Sequence, residues 1–461
     1  MPLVGAFIVP HPPLIIPEVG RGEERKISKT VECYHEIARR IAGLRPDTII
    51  ITSPHSIMYS DYFHISPGKK AKGSFRKYGA GGVQLQADYD EEFVQALEAC
   101  AERDGIEAGT LGEKDPGLDH GTMVPMYFIN QYYKDYRLVR VGLSGLSLPL
   151  HYRLGQCMEK TAEKLDRRIV LVASGDLSHR LKEDGPYGFA QEGVEFDRQV
   201  TQAMKEGDFL KLLEFSPDFC EAAAECGLRS FLIMAGALSG KSAEPDFLSY
   251  EGPFGVGYGI CAYRITGEAP DRDFGAIFTR KQRELARELQ KKEDPYVHLA
   301  RHSLETYVIT GKEAGLPDGL PEEMLKKQAG VFVSLKKHGS LRGCIGTIAP
   351  VTDCIAREIL RNAVSAGEED PRFPPVTEEE LEELVYSVDV LAPAEPIASM
   401  EELDVKRYGV IVTSGRKRGL LLPNLEGIDT VERQVAIARK KAGIYDNEKV
   451  SLERFEVVRH Q

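Results

Sequence analysis

Two hydrophobic periodicities alternate along the first 267 residues. LVGAFIV (3–9), TIIITS (48–53), RLVRVGL (137–143) and RIVLVAS (168–174) are apolar runs of strand length. Between them lie helical patterns, among them EERKISKTVECYHEIARRIAGL (23–44) and a segment near 152–166. Strand and helix in alternation predict an α/β layer around a central, mostly parallel sheet flanked by helices. The half closes on GVGYGICAYRIT (255–266), a glycine-rich final strand. Its GPFGVGYG lacks the strand-before, helix-after setting of a nucleotide loop, so that reading is rejected.

Beyond residue 267 the pattern changes. TGEAPDRDFG reads as a linker, placed at 268–284, and a strongly charged helix is expected from about Arg280 to Lys292. A second domain, 285–461, begins with the helix DPYVHLARHSLETYVIT. VFVSLKKHGSLRGCIGTI then reads as two strands joined by a tight turn at His338-Gly339-Ser340. The extended DPRFPPV, the strand VYSVDVLAP and the hairpin YGVIVTSGRKRGLLLP complete an α+β pattern unlike the first half.

Composition narrows the function. A chain of 461 residues exceeds what one core usually serves, in keeping with two domains. A net charge of −12 argues against nucleic acid or anionic lipid as partner. The basic clusters Lys69, Lys70, Lys72 and Arg416, Lys417, Arg418 read as solvated loops. No apolar run approaches the ~18 residues of a membrane helix, and Pro12 and Pro13 interrupt any signal-type helix. The eight cysteines form no C-x-x-C pair; they read as reduced packing residues of a cytoplasmic protein.

Histidines mark the candidate chemistry. In VPHPPLI, His11 directly follows the first strand and is held extended by Pro12. His55 follows the second strand in TIIITSPHS, His179 follows a third in RIVLVASGDLSHR, and His120 sits in the loop GLDHGTMVP. Strand ends are where open α/β sheets bind ligands, and His11 and His55 converge there if their strands are neighbours. Imidazoles from separate strand ends suit Fe(II), Mn or Zn, with a carboxylate completing a facial triad. Glu225, in AAAECGLRSFLIMAGAL, is the best-placed carboxylate. Cys226 beside it is the alternative, and a thiolate there would favour copper or zinc. Asp176 either orients His179 or caps a helix.

PHPP, SPH, DHG, SGDLSHR and ECGLRS, in that order over roughly residues 1–267, resemble the class III extradiol dioxygenases and their Memo-like relatives. The resemblance implies His11, His55 and Glu225 as metal ligands, His179 as catalytic acid/base and His120 as a substrate- or oxygen-pocket residue. It implies Fe(II) as cofactor, with Zn, Mn or Cu as alternatives, and a phenolic small-molecule substrate. In Memo-like relatives a cysteine replaces the glutamate, which keeps Cys226 open as third ligand. LRGCIGT, DPRFPPV and GLLLP resemble the AMMECR family from about 285 onward. A chain joining both halves is similar to AmmeMemoRadiSam system components, which implies a radical SAM enzyme as partner. A metal-dependent oxidoreductase is the expectation; a non-catalytic metal-binding scaffold and a metal-assisted hydrolase are the alternatives. In the second domain Cys344 is either a nucleophile tuned by Arg342 or a packing residue with Arg342 paired to an acid. His338 is expected to face solvent from its turn. The oligomeric state is left open.

Overall fold

In the computed structural model, which describes residues 2–114, 117–425 and 427–461, the chain forms two compact units, the first ending at Thr279 and the second beginning at Arg280. The first unit is built on six strands: β1 (Leu3–Val9), β2 (Thr48–Ser53), β3 (Arg137–Gly142), β4 (Ile169–Ser174), β5 (Lys241–Glu251) and β6 (Tyr258–Glu268). Their order across the sheet is β3-β2-β4-β1-β6-β5. The first four are mutually parallel, and β6 and β5 add an antiparallel edge, so the sheet is mixed.

The unbroken apolar runs have a direct physical cause: both faces of this sheet are covered. Leu3, Ala6 and Ile8 of β1 point into one buried cluster, with the helices Leu148–Lys164 and Leu228–Ala237. Phe7 and Val9 point into the other, with the helices Ser28–Leu44 and His120–Ile129. Successive side chains of a strand face opposite ways, so a strand covered on both faces has no polar side to show.

β1 and β2 are not neighbours; β4 lies between them. The C-terminal ends of β1, β4 and β2 therefore stand side by side, and the residue ending β4, Ser174, is placed between the histidines that follow the other two.

The segment 268–284 is not an irregular linker. It holds the end of β6, a turn of 3-10 helix at Pro270–Arg272 and the larger part of a helix, Phe274–Gln290, which starts six residues before the expected Arg280. The reason is apolar: Phe278 is buried and Phe274 packs beside it on the first unit's core.

The second unit contains two four-stranded antiparallel sheets. Its strands in chain order are β7 (Val331–Lys337), β8 (Ser340–Gly346), β9 (Leu384–Leu391), β10 (Glu395–Ile397), β11 (Gly409–Ser414), β12 (Lys417–Leu421), β13 (Ser451–Phe455) and β14 (Val457–His460). They are arranged β8-β7-β9-β14 and β10-β13-β11-β12. The turn joining β7 to β8 is only His338-Gly339, both in the left-handed region at φ 52° and 78°, which matches the twist of a two-residue hairpin. Helices Pro295–Thr310 and Ile355–Glu368 pack on the apolar side of the first of these sheets. Among the described residues no helix is long and apolar enough to cross a membrane.

Candidate metal centre

His11 is held before any ligand arrives. Its backbone N–H donates to Asp176 Oδ1 at 2.8 Å, and its Nδ1 lies 3.0 Å from Ser174 Oγ. Ser174 has one hydroxyl proton, and it donates that proton to the Gly121 carbonyl at 2.6 Å. Ser174 Oγ therefore accepts from His11, Nδ1 carries the ring proton, and Nε2 is left as a lone pair.

That lone pair faces two other donors. His55 Nε2 is 3.0 Å from His11 Nε2, and Cys226 Sγ is 3.7 Å away. The three ligand atoms lie within 4.8 Å of one another. Atoms so spaced fit a single ion with bonds of about 2.0–2.3 Å. His11 is buried, while His55 is exposed and leaves one side of the cluster open.

Electrostatics agree with a cation-binding role. Burial, followed by the charge of neighbouring His55, keeps His11 well below its ordinary pKa, and burial lowers His55 as well. Both rings are thus neutral ligands at pH 7. Burial raises the Cys226 thiol, and Asp176 and Glu225 add to the effect. A cation held there would invert that balance and favour the thiolate.

Here the geometry departs from the expected ligand set. Glu225 does not face the histidines: its Oε2 accepts from the Leu228 backbone N–H at 2.7 Å, at the start of the helix Leu228–Ala237. Ala224, just before it, has φ 51° and turns the chain sharply. Successive side chains then leave on different sides, and Cys226 is the one turned toward His11. The carboxylate nearest the cluster belongs instead to Asp176, whose Oδ2 is 3.9 Å from His11 Nε2. Burial raises Asp176 to about 6, against the lowering effect of the His11 N–H.

His179 is oriented by a backbone carbonyl rather than by Asp176. Its Nδ1 donates to Ala224 O at 2.6 Å, which leaves Nε2 free to accept a proton. His120 joins the cluster more closely than a pocket residue need do. Its ring centroid is 3.9 Å from that of His55 and 5.4 Å from that of His11. Its Nδ1 is 3.0 Å from the Tyr78 hydroxyl, and burial, then His55 and His11, lower its pKa to about 3. Asp119 caps this helix, accepting from the Thr122 N–H at 3.0 Å and the Ser53 hydroxyl at 2.5 Å. Ser53 also accepts from the His55 N–H at 3.2 Å, so one carboxylate braces both ligand loops.

The loops carrying Asp176 and Cys226 meet at two glycines. A Cβ built on Gly175 would lie 2.2 Å from Gly227 Cα, and one built on Gly227 would lie 2.4 Å from the Phe231 ring and 2.8 Å from the Asp176 carbonyl, so neither position has room for a side chain.

Reading the sequence left Ser174, Ser53, Asp119 and Tyr78 outside the candidate set. Only Ser174 and Ser53 carried a usable signal, each being the last residue of a strand that leads to a candidate. A second cluster, Cys100, Asp104 and Cys157, is already served by cations: Lys160 Nζ sits 2.7 Å from Asp104, and Arg103 donates to Cys100 Sγ at 3.1 Å.

In the second unit Arg342 is not the cation beside Cys344. It pairs with Glu380 at 2.7 Å and donates to the carbonyls of Pro374 and Pro375. Cys344 Sγ accepts from Ser334 Oγ at 3.2 Å, and Arg372, fixed by Asp370, reaches the Cys344 carbonyl. His338 does not face solvent freely: its Nε2 is 2.7 Å from Glu383 Oε2.

Comparison with known proteins agrees with both halves. Residues 5–261 match the family of the catalytic LigB subunit of aromatic ring-opening dioxygenase, and residues 297–460 match AMMECR1. Protein CA_C1420 of Clostridium acetobutylicum is 46% identical over the full length of both chains. A Thermotoga maritima protein is 50% identical over 171 residues, 37% of this chain and 98% of its own. The crystal structure of the uncharacterized protein PH0010 from Pyrococcus horikoshii is 35% identical, with a TM-score of 0.33, over 36% of this chain and 88% of its own. The chain belongs to the LigB family through its first unit, and joins to it an AMMECR1 domain.

Proposed function

We propose that this protein is a metal-dependent oxidoreductase of the extradiol dioxygenase type, acting on a phenolic or related small molecule and working with a radical SAM enzyme. The observation that carries the reading is the convergence of two imidazoles and a thiol at the ends of β1 and β2 and beside the end of β4. His11, His55 and Cys226 would hold the metal, with Fe(II) the ion expected from the family relation. Such an ion supplies Lewis acidity toward substrate oxygens and a redox partner for the oxidant.

The chain's own residues supply the rest. His179, its Nδ1 proton committed to Ala224 O, offers Nε2 to a substrate hydroxyl proton. His55 is open on one side, giving the substrate its approach. The radical SAM partner is supported by the joining of the two domains in one chain.

The test is metal analysis of protein purified without oxygen, followed by turnover with labelled O2 and labelled water. Iron near one per chain, with label from O2 in the product and loss of turnover in His179→Ala, is the expected result. Label from water alone would make the protein a hydrolase. One observation favours a second reading: Cys226 in the third position suits copper or zinc better than a carboxylate would. Zinc or copper without turnover would assign a metal-holding scaffold.

A further inference from the structure

In the buried cluster on one face of the first sheet, two thiols converge from neighbouring helices. Cys100 lies in the last turn of the helix Glu91–Arg103, and Cys157 in the middle of the helix Leu148–Lys164. With Asp104 they bring two sulfurs and a carboxylate oxygen within 4.8 Å of one another. A disulfide needs an S–S distance of about 2.0 Å. Closing the remaining gap takes side-chain rotation, for which the terminal turn at Cys100 leaves more freedom than a helix interior.

The two sulfurs differ in their surroundings. Arg103 Nη2 donates to Cys100 Sγ at 3.1 Å, so a guanidinium meets negative charge as it develops on that sulfur. Cys157 Sγ instead donates to Asp104 Oδ2 at 3.5 Å, and burial, followed by Cys100, raises its thiol. Lys160, 2.7 Å away, holds Asp104 ionised as that acceptor. One thiol is thus equipped to attack, the other to keep its proton until it is needed. Depth follows the same order. Cys157 is fully buried, whereas Cys100 is 5% exposed beside Arg103, whose side chain is 63% exposed.

We propose that Cys100 and Cys157 are a redox pair, oxidised by a small hydroperoxide to a reversible disulfide that staples their two helices together. In the first step the Cys100 sulfur attacks the peroxide. An S–O bond forms, the O–O bond breaks, sulfur gives up two electrons, and with hydrogen peroxide the products are a sulfenic acid and water. In the second step the Cys157 sulfur attacks that sulfur; the S–S bond forms, the S–O bond breaks, and the hydroxyl leaves as water with the Cys157 proton. Two thiols and one hydrogen peroxide become one disulfide and two waters, and a dithiol reductant reverses the change. The pair is independent of the metal-centre reading and uses none of its residues.

The test is oxidation of the full chain with hydrogen peroxide, stopped with catalase. The protein is then unfolded, alkylated with iodoacetamide, digested and mapped by mass spectrometry. The expected product is a linked pair of peptides bearing positions 100 and 157, which dithiothreitol separates. In Cys157→Ser the sulfenic acid persists at Cys100 and is trapped by dimedone; in Cys100→Ser, Cys157 stays a free thiol. Arg103→Gln slows the linkage about tenfold, the size of one charge-assisted hydrogen bond. Both cysteines left alkylatable in the parent chain, linkage of either to a different cysteine, dimedone on Cys157 rather than Cys100, or an undiminished rate in Arg103→Gln would overturn the proposal. The parent map and the Arg103→Gln rate need no core substitution, so they decide the matter even where a cysteine variant misfolds.

Discussion

Ser174 Oγ stands 3.0 Å from His11 Nδ1 and determines which nitrogen of that ring faces the cluster. Its own proton goes to Gly121 O, so the serine acts toward His11 purely as an acceptor. Ser174→Ala removes that acceptor in a fully buried site. Metal affinity should fall by about 10- to 100-fold, the usual effect of losing a group that orients a ligand histidine, as measured by competition with a chelator.

Exchange of the two candidate third ligands separates their roles. Cys226→Ala should lose metal outright. Glu225→Gln should keep metal and cost about 1 kcal/mol of stability, because the amide still accepts from the Leu228 N–H. Metal content and denaturant midpoints of the two variants check this; equal metal loss in both would count against Cys226.

His179→Ala should retain metal while turnover falls by a factor of about 10² to 10⁴, the range for removal of a general acid or base. The imidazole is held by Ala224 O and is not among the converging ligand atoms. Iron content together with turnover is the measurement.

A pH effect on stability is expected at Asp197, which accepts from the backbone between Asp176 and His179. The side chain is buried, accepts from the Ser178 N–H and the Tyr250 hydroxyl, and is raised to about 7, by burial first. A carboxyl raised in the folded state holds its proton there after the unfolded chain has released it. Its contribution is therefore fully present below about pH 4 and is lost as pH rises toward 7, at up to about 1.4 kcal/mol per unit. Asp197→Asn should flatten the fall of melting temperature across that window and leave the variant more stable than the parent at pH 8.

Arg301 tests the second unit. It is buried, bonded to Glu293 at 2.5 Å and Glu305 at 3.2 Å, and lies 4.4 Å from the Tyr386 ring centroid. Arg301→Met leaves the Glu293 carboxylate, itself 5% exposed, without its cation. Destabilisation of about 3–5 kcal/mol is expected, read as a lowered calorimetric transition and partly recovered by adding Glu293→Gln.

How much of this was legible in the sequence follows from what each feature depends on. The strands of the first sheet were readable because burial on both faces makes them apolar throughout. His11 and His55 were readable because prolines and strand ends restrict them locally. The insertion of β4 between their strands was not, since strand order is a long-range property. Nor could the pattern AAAECG say which of Glu225 and Cys226 turns inward, because that depends on Ala224 taking a left-handed φ.

The contact between Gly175 and Gly227 limits how this centre can change. Alanine at Gly175 would wedge a methyl against the Gly227 backbone, and alanine at Gly227 would meet the Phe231 ring at 2.4 Å and the Asp176 carbonyl at 2.8 Å, so the loops bearing Asp176 and Cys226 are tightly seated. The pair works as a fixed mount. A different metal preference could then arise by exchanging the side chain at position 226, but not by sliding its loop, so the donor at that position becomes the one variable in an otherwise rigid frame.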